Sequence, residues 1–377
     1  QSALIDEVEE WIDTHQDWPH LVTSIAKKWI KEGVRDRCIT RDLNWGVPVD
    51  RPGFEGKVFY VWFDAPIAYI STTKTWGEED PENRDWKTWW TEGNDVAYYQ
   101  FMAKDNIPFH TISFPATEIG SREPWKKVDQ LKGFNWLTYY GGKFSTSQKR
   151  GIFTDQALEE EPADFWRYWL MANAPESGDS VFTVDRFAEQ CNKDLAHTLG
   201  NFVNRGMKFC EKNFGAEVPS GGDWTEEEHA MAKELAALVA DYTKQMEAME
   251  FRKAMASLRA IWSLGNNYLA SAAPWVAIKT NRDRAATIIR TALNLTRLFA
   301  VLAFPVIPDS ATRMLAAVGH APDGDESPTW PGQDIEGELT VLEPGEPFTT
   351  VPPLFKVIDE DRVAELTERY GGAPEEA

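Results

Sequence analysis

The sequence predicts an α/β domain with a parallel sheet, followed by an all-α helix bundle. Residues 57–64, 96–103 and 133–140 alternate with a period of two and are apolar on both faces, which is typical of strands covered on both sides. A helical pattern over residues 109–118 lies between two of these strands, and this order indicates half of a doubly wound, Rossmann-type domain. From Asp155 onward the apolar period changes to 3.6, which indicates helices.

Further elements flank these two regions. Residues 1–32 have a helical pattern, residues 321–350 are rich in Pro, Gly and acid, which favours a linker, and residues 353–369 are amphipathic. The helices of the bundle are predicted over residues 162–171, 184–213, 226–247, 251–272 and 284–303. Because three strands are too few for a complete nucleotide-binding sheet, and the chain begins with Gln1 rather than Met, we expect further sequence upstream.

The chain is acidic, with a net charge of −21 over 377 residues, which by itself argues against binding to nucleic acid. Between Lys279 and Arg297, however, there are five basic residues and one acid, so a local basic face stays open as an alternative. No apolar run reaches the roughly 18 residues of a membrane span. The cysteines lie far apart in sequence and predict reduced thiols in the core rather than a zinc site or a disulfide, so we expect a cytoplasmic protein.

Two segments follow predicted strands, at the edge where an open α/β sheet binds its ligand. The first contains Trp62 and Tyr69, for which a position in the core is an equal alternative. The second runs from Lys104 to His110. Its Asp105 can accept hydrogen bonds from both hydroxyls of a ribose, although an N-cap of the next helix is the simpler interpretation.

A third segment, residues 141–151, is bracketed by glycines and contains hydroxyls, three cations and no acid. Such a loop can surround phosphates with backbone N–H groups and ammonium charge, although its spacing differs from that of a P-loop. A flexible basic turn on the surface is the alternative.

The bundle contains a candidate surface for recognising bases. Asn201 and Arg205 are spaced i, i+4 on a predicted helix and share a face, and an amide beside a guanidinium can read base edges. Trp275 follows Pro274 at a helix end, where an indole can stack on a base. Each of these residues, taken alone, is more often structural.

Taken together and in this order, residues 62–69, 104–110 and 143–147 and the Pro274-Trp275 pair resemble the methionyl-tRNA synthetases, which are class I aminoacyl-tRNA synthetases. The sequence of residues 106–110, Asn-Ile-Pro-Phe-His, resembles that of the archaeal and eukaryotic members of the family. The resemblance implies an organisation along the chain. Residues 1–40 would end a connective insertion, 41–140 would complete the Rossmann-type catalytic domain, 141–183 would carry the signature loop, 184–320 would form the anticodon-binding bundle, 321–350 would be a linker, and 351–377 would pack back on the catalytic domain.

The resemblance also implies roles for individual residues. Methionine would be bound by Trp62, Ala65, Pro66, Tyr69 and His110. ATP would contact Ala103, Asp105, Leu137, Lys143, Ser145 and Ser147. The anticodon would be read by Asn201, Arg205 and Trp275. Among the catalytic cations, Arg41 and Lys143 would match positions of the family. Aromatic walls also suit a thioether on physical grounds, because sulfur is polarizable.

The chain departs from the family pattern in two places. The His-x-Gly-His phosphate motif and the zinc-bearing insertion are absent from it, so we expect both upstream and expect the chain alone to be catalytically incomplete. Thr146 stands where the family signature has its catalytic lysine. We therefore predict that Lys149 supplies the missing charge, with Arg150 as the second candidate and Lys143 as a fixed contact.

The implied reaction is the ATP-dependent activation of L-methionine and its transfer to tRNA(Met). Mg²⁺ is expected to bind the triphosphate, and zinc is expected only in an upstream region. No membrane partner is expected. Two alternatives stay open: a class I synthetase for another apolar amino acid, and a non-catalytic tRNA-binding relic of such an enzyme.

Overall fold

The computed structural model describes residues 1–148, 150–324 and 326–371, and the chain divides into two compact units. Unit 1 comprises residues 1–136 and 175–178, and unit 2 comprises residues 137–174 and 179–377. A unit with a small parallel sheet is therefore followed by a unit that is almost entirely helical, which is the order of folds that the sequence predicts.

Unit 1 is built around a strand–helix–strand element. Its helices are α1 (Ile5–Asp13), α2 (His20–Glu32), α3 (Val61–Asp64), α4 (Ile67–Glu79), α5 (Lys87–Trp90), a π-helical turn (Phe109–Ser113) and α6 (Phe114–Ser121). Its strands are β1 (Thr40–Arg41), β2 (Val58–Phe59), β3 (Tyr99–Ala103) and β4 (Gln130–Phe134). Strand β3 pairs in parallel with β4, while β1 and β2 form a short antiparallel pair. The π-helical turn and α6 make the crossover that a parallel pair requires.

Two of the predicted strands are wrong in extent. Within residues 57–64 only Val58–Phe59 is a strand, and Val61–Asp64 is a turn of helix. A short run that is apolar on both faces fits a covered strand and a buried helix equally, so its period could not decide between them. The predicted strand 133–140 is broken at residues 135–136, where the backbone N–H of Asn135 donates to the carbonyl of Pro175 instead of extending β4.

The core of unit 1 lies where α1 and α2 pack against β4 and α6. Val8, Ile12 and Val22 are buried there with Leu131 of β4. Gly133 is required by this packing, because a Cβ at that position would lie 2.7 Å from a side-chain carbon of Ile107.

Unit 2 begins with a second parallel pair, β5 (Leu137–Tyr139) and β6 (Ser180–Phe182), joined through α7 (Thr154–Glu160) and α8 (Ala163–Ala172). The bundle follows. It consists of α9 (Val184–Cys191), a π-helical segment (Asn192–Gly200), α10 (Asn201–Phe214), α11 (Glu226–Glu247), α12 (Phe251–Ala272), α13 (Pro274–Ala277), α14 (Arg282–Ala303), α15 (Pro308–Ala317), α16 (Ile335–Glu338) and α17 (Glu360–Tyr370). The predicted helices 226–247 and 251–272 are confirmed to the residue.

Helix α14 is the central helix of the bundle. It is long and apolar enough to meet the length and composition of a membrane span, but 94% of its most apolar window is buried inside unit 2. Phe299 of α14 packs against Phe202 of α10, with ring centroids 5.0 Å apart. The apolar surface of α14 is therefore accounted for by the bundle.

The stretch predicted to be a linker, residues 321–350, is packed against the bundle over much of its length. Ile335, Leu339, Leu342 and Phe348 are buried in the core of unit 2. The composition of this stretch, rich in Pro, Gly and acid, predicted a linker because the few apolar side chains that attach it to the bundle are a small part of it.

Candidate functional site

The aromatic residues predicted to bind methionine lie in unit 1, on helices rather than at a strand end. Trp62 is in α3, its side chain is 45% exposed, and its ring stacks on Phe109 with centroids 5.0 Å apart. Ala65 and Pro66 connect α3 to α4. A cavity of about 160 Å³ is lined in part by Trp62, Phe109 and Cys38, a cysteine that is exposed and not in the core as predicted. The wall of this cavity suits an apolar side chain.

Tyr69 of α4 and His110 of the π-helical turn form a hydrogen-bonded pair. His110 Nδ1 lies 2.9 Å from the carbonyl of Asn106, so it must carry the proton, and Nε2 accepts from the Tyr69 hydroxyl at 2.9 Å. Burial lowers the pKa of His110 from its ordinary 6.5, which favours the neutral ring at pH 7. Because the Tyr69 hydroxyl donates its hydrogen bond to His110, its oxygen lone pairs can still accept a hydrogen bond from a ligand.

The residues predicted near the adenosine and the active centre are placed as follows. Ala103 ends β3 and Asp105 lies exposed in the turn after it, with no side-chain cap bond to the next helix. The Arg41 guanidinium donates to the carbonyls of Cys38 and Thr40, both at 2.8 Å, and lies over the ring of Tyr60. Arg41 is thus fixed by its own surroundings.

The signature loop, residues 141–151, begins with a tight turn in unit 2. The N–H of Gly142 donates to the carbonyl of Tyr139 at 3.0 Å, and Tyr140 and Gly141 have φ of +50° and +84°. Two successive positive φ values are typical of a two-residue hairpin turn. Further on, the backbones of Ser145 and Arg150 exchange two hydrogen bonds of 2.9 Å.

Within this loop Lys143, Thr146 and Ser147 are exposed, Ser145 is half-buried, and the Arg150 guanidinium donates to the carbonyl of Tyr139 at 3.1 Å. Lys149, the residue predicted to supply the catalytic charge, lies outside the described residues. Leu137, predicted beside the adenosine, begins β5 and is half-buried.

Two of the three residues predicted to read the anticodon are in contact. The guanidinium of Arg205 lies 4.9 Å from the ring centroid of Trp275, and the indole is 38% exposed. Asn201 is exposed one turn before Arg205 on α10. An exposed amide and an indole held by a guanidinium make a surface on which a base can stack and be read.

Most cations of the local basic face considered for residues 279–297 are engaged within the bundle, although Lys279 is exposed. Arg284 pairs with Glu227 and Glu228, Arg297 pairs with Glu338, and Arg290 donates to the carbonyl of Gly222. These cations neutralise or cap groups of the bundle itself, which a count of charges along the sequence cannot reveal.

Sequence reasoning missed two buried polar clusters of unit 2. The first is centred on Glu228, whose carboxylate accepts from the N–H and hydroxyl of Thr225 and from the Tyr268 hydroxyl at 2.6 Å. The Thr-x-x-Glu spacing of a capping box was the available signal. The second, around Tyr139 and Glu160, joins residues more than 200 positions apart and had no local signal.

Across the described ranges 1–148, 150–324 and 326–371, no group of three or more His, Cys, Asp or Glu side chains is placed to hold a metal ion.

Two family models match the chain in succession. The first, described as "tRNA synthetases class I (M)", matches residues 1–207. The second, described as "Anticodon binding domain of methionyl tRNA ligase", matches residues 218–375.

Similar proteins and structures are found as well. A methionine–tRNA ligase of Streptomyces avermitilis is 56% identical over 385 residues, covering 100% of this chain and 67% of its own length, and one of Caulobacter vibrioides is 53% identical over 381 residues, covering 99% and 66%. These relatives are bacterial and lend no support to an archaeal or eukaryotic affinity. Mycobacterium tuberculosis methionyl-tRNA synthetase in complex with methionyl-adenylate has a TM-score of 0.78 at 23% identity, over 94% of this chain and 67% of that one, which shows the fold.

The chain spans about two thirds of the length of the relatives it matches. The class I model covers more than half of the chain, the anticodon-binding model covers most of the remainder, and the identity to the Streptomyces protein exceeds half. This chain belongs to the methionyl-tRNA synthetase family.

Proposed function

We propose that this chain supplies the methionine pocket, the signature loop and the anticodon-binding bundle of a methionine–tRNA ligase. The observation that carries the proposal is the stacked Trp62–Phe109 pair beside the Tyr69–His110 hydrogen bond, in a chain of this family. The substrates would be L-methionine, ATP with Mg²⁺, and tRNA(Met), and the protein would act in the cytoplasm. No covalent intermediate on the protein is needed, because positioning and charge stabilisation suffice for this chemistry.

The methionine side chain would lie against the rings of Trp62 and Phe109. Sulfur–aromatic contacts are each worth roughly 0.3–1.5 kcal/mol, which favours a thioether over a branched aliphatic chain of similar size. The neutral Tyr69–His110 pair adds a polar group without a charge, so a polarizable, uncharged side chain is the expected ligand. Ala65 and Pro66 would complete the pocket.

ATP would contact the residues that the resemblance to the family implies. Asp105 and Ala103 would contact the ribose and adenosine, and Leu137 would lie beside the base. The signature loop would surround the triphosphate through Lys143, Ser145 and Ser147, whose exposed or half-exposed side chains leave them available to a ligand. Arg41 would act near the active centre from its position over Tyr60.

Replacing Trp62 with alanine is expected to raise the KM for methionine by about tenfold or more, because a stacked aromatic wall of the pocket is removed. ATP–pyrophosphate exchange in the full-length protein measures this constant. Trp76→Ala is the matched control, since Trp76 lies on α4 and packs against Trp89, with ring centroids 6.4 Å apart. An unchanged methionine KM in Trp62→Ala would remove Trp62 from the pocket.

Replacing Trp275 with alanine is expected to weaken the binding of tRNA(Met) by about tenfold or more, because stacking of one base is worth roughly 1–3 kcal/mol. Pyrophosphate exchange, which needs no tRNA, should be nearly unchanged. Val276→Ala is the control, because Val276 is the neighbouring residue and is more exposed, at 56%. The anticodon assignment fails if Trp275→Ala lowers exchange and tRNA binding equally, as a general packing defect would.

A non-catalytic tRNA-binding relic is the second candidate, favoured by the threonine at position 146 in the signature loop. The two candidates differ in one measurement on the full-length protein. Methionine-dependent pyrophosphate exchange supports the ligase. Binding of tRNA that depends on the CAU anticodon, without any such exchange, supports the relic.

A further inference from the structure

Tyr139 is the residue on which the signature loop converges. Its ring is 1% exposed and lies 5.1 Å from the ring of Phe144 in the loop. Its backbone N–H donates to the carbonyl of Gly142 at 2.8 Å, and its own carbonyl accepts from the N–H of Gly142 and from the Arg150 guanidinium. Both ends of the loop are therefore attached to this one residue.

The side chain of Tyr139 is fixed in turn by the C-terminal helix. Its hydroxyl donates to the carbonyl of Tyr370, the last residue of α17. The last carbonyls of a helix have no partner within the helix, so this hydroxyl satisfies one of them. Burial raises the pKa of Tyr139 to about 12, which keeps the hydroxyl protonated and able to donate.

The end of α17 is fixed by a carboxylate of α7, the helix that follows the loop. The Tyr370 hydroxyl and an Arg369 nitrogen each lie 2.6 Å from Oε1 of Glu160, and Arg362 contacts Oε2 at 2.8 Å. The hydrogen bond from Tyr370 is the largest cause that lowers the pKa of Glu160, so the carboxylate stays charged near neutral pH. We call Tyr139, Glu160, Arg369 and Tyr370 the tail contact.

The tail contact joins α17 to chain segments on both sides of the loop, within unit 2. The loop leaves β5 at Tyr139 and leads into α7, which begins at Thr154. Tyr139 and the last residue of α7, Glu160, are both joined to α17 by polar contacts. Gly151, at the return, has a φ of +129°, and a Cβ there would lie 2.6 Å from Phe144. The loop between them is thus short and held at its base, while Lys143, Thr146 and Ser147 project outward.

We propose that Tyr139, held by the C-terminal helix, is a positioning residue that sets the conformation of the signature loop for the ATP-dependent step, an inference that rests on the proposed function. Tyr139 is buried, so it acts through its neighbours: its backbone exchanges two hydrogen bonds with Gly142, and its carbonyl accepts from the Arg150 guanidinium. The C-terminal helix is thereby part of the machinery that orders the triphosphate-binding loop, although it lies more than 200 residues away in sequence.

The matched pair Tyr139→Phe and Tyr140→Phe tests this assignment. Each variant removes one hydroxyl and keeps the ring, but Tyr140 accepts from the N–H of Val184 and has no bond to α17. Glu160→Gln tests the same contact from the other side. Amide hydrogen exchange is measured on the full-length protein without substrates, so that it does not depend on catalysis. Pyrophosphate exchange is then measured on the full-length protein.

Tyr139→Phe is expected to accelerate amide exchange in residues 142–148 and to lower kcat about three- to tenfold, the effect of one hydrogen bond, with the methionine KM unchanged. Glu160→Gln should act in the same direction, and Tyr140→Phe should do neither. Unchanged loop exchange in both Tyr139→Phe and Glu160→Gln overturns the proposal, and so does equal acceleration by Tyr140→Phe. Should the wild-type full-length protein lack pyrophosphate exchange, the proposed function fails, while amide exchange still decides whether the helix orders the loop.

Discussion

Glu228→Ala is expected to lower the free energy of unfolding by about 3–5 kcal/mol, because it removes the buried partner of Arg284 and leaves several hydrogen-bond donors without an acceptor. Glu228 is fully buried, and its Oε2 lies 2.7 Å from Nη1 of Arg284. The variant also leaves the Tyr268 hydroxyl and the Thr225 N–H without their acceptor. Urea titration followed by circular dichroism, at matched protein concentration, measures the change.

Glu227→Ala is the matched control. Glu227 contacts the same Arg284 at 2.8 Å, but its side chain is 39% exposed, so its removal should cost no more than about 1 kcal/mol. Equal effects of the two variants would show that burial of Glu228 contributes nothing beyond the ion pair.

The Glu228 cluster also fixes how stability depends on pH. Burial by itself raises the pKa of Glu228, but hydrogen bonds from Arg284, Tyr268 and Thr225 outweigh it and lower the pKa from 4.5 to about 2. A carboxyl whose pKa is depressed in the folded state stabilises the fold above its unfolded pKa. Its contribution should therefore be complete above pH 4.5 and disappear as the pH falls towards 2, and this part of the acid dependence should be absent in Glu228→Ala.

Lys149→Ala is expected to lower the rate of methionine activation about a hundredfold or more, because it removes a positive charge from the developing charge on the triphosphate. Methionine affinity should change little, since such a contact is made only in the transition state. The motivation is Thr146, a neutral hydroxyl at the signature position, together with the cations that follow it in the loop. Single-turnover formation of adenylate in the full-length protein separates the rate from affinity.

Arg150 is the competing candidate for the catalytic charge. Its guanidinium is already engaged at the base of the loop, which favours Lys149 for this role. The Arg150 guanidinium donates to the carbonyl of Tyr139, so Arg150→Ala should loosen the base of the loop and have a smaller effect on rate. Gln148→Ala, an exposed neighbour, serves as the control. Near-wild-type activation in Lys149→Ala with a large loss in Arg150→Ala transfers the role to Arg150, and normal rates in both variants refute the idea of a displaced cation.

The sequence by itself determined the long elements and the family. The helices over residues 226–247 and 251–272 were predicted to the residue. Each has about six turns, and an apolar period of 3.6 residues sustained over that length leaves little choice of secondary structure or of helix ends. The order of four short motifs along the chain indicated the family, which the comparisons show. Local spacing also put Asn201 and Arg205 on one face of a helix.

Tertiary structure decided what depends on partners distant in sequence. Residues 57–64 could be strand or helix until packing selected a turn of helix at Val61–Asp64. The acidic stretch 321–350 had the composition of a linker, yet four apolar side chains bury it against the bundle. Arg284 and Arg297 pair with carboxylates of other helices, and Arg290 donates to the carbonyl of Gly222 in a loop. The Tyr139 hydroxyl finds its acceptor at Tyr370. A periodic pattern records only which face of an element is apolar, whereas a hydrogen bond or an ion pair needs two groups at a set distance, and only the folded chain brings them there.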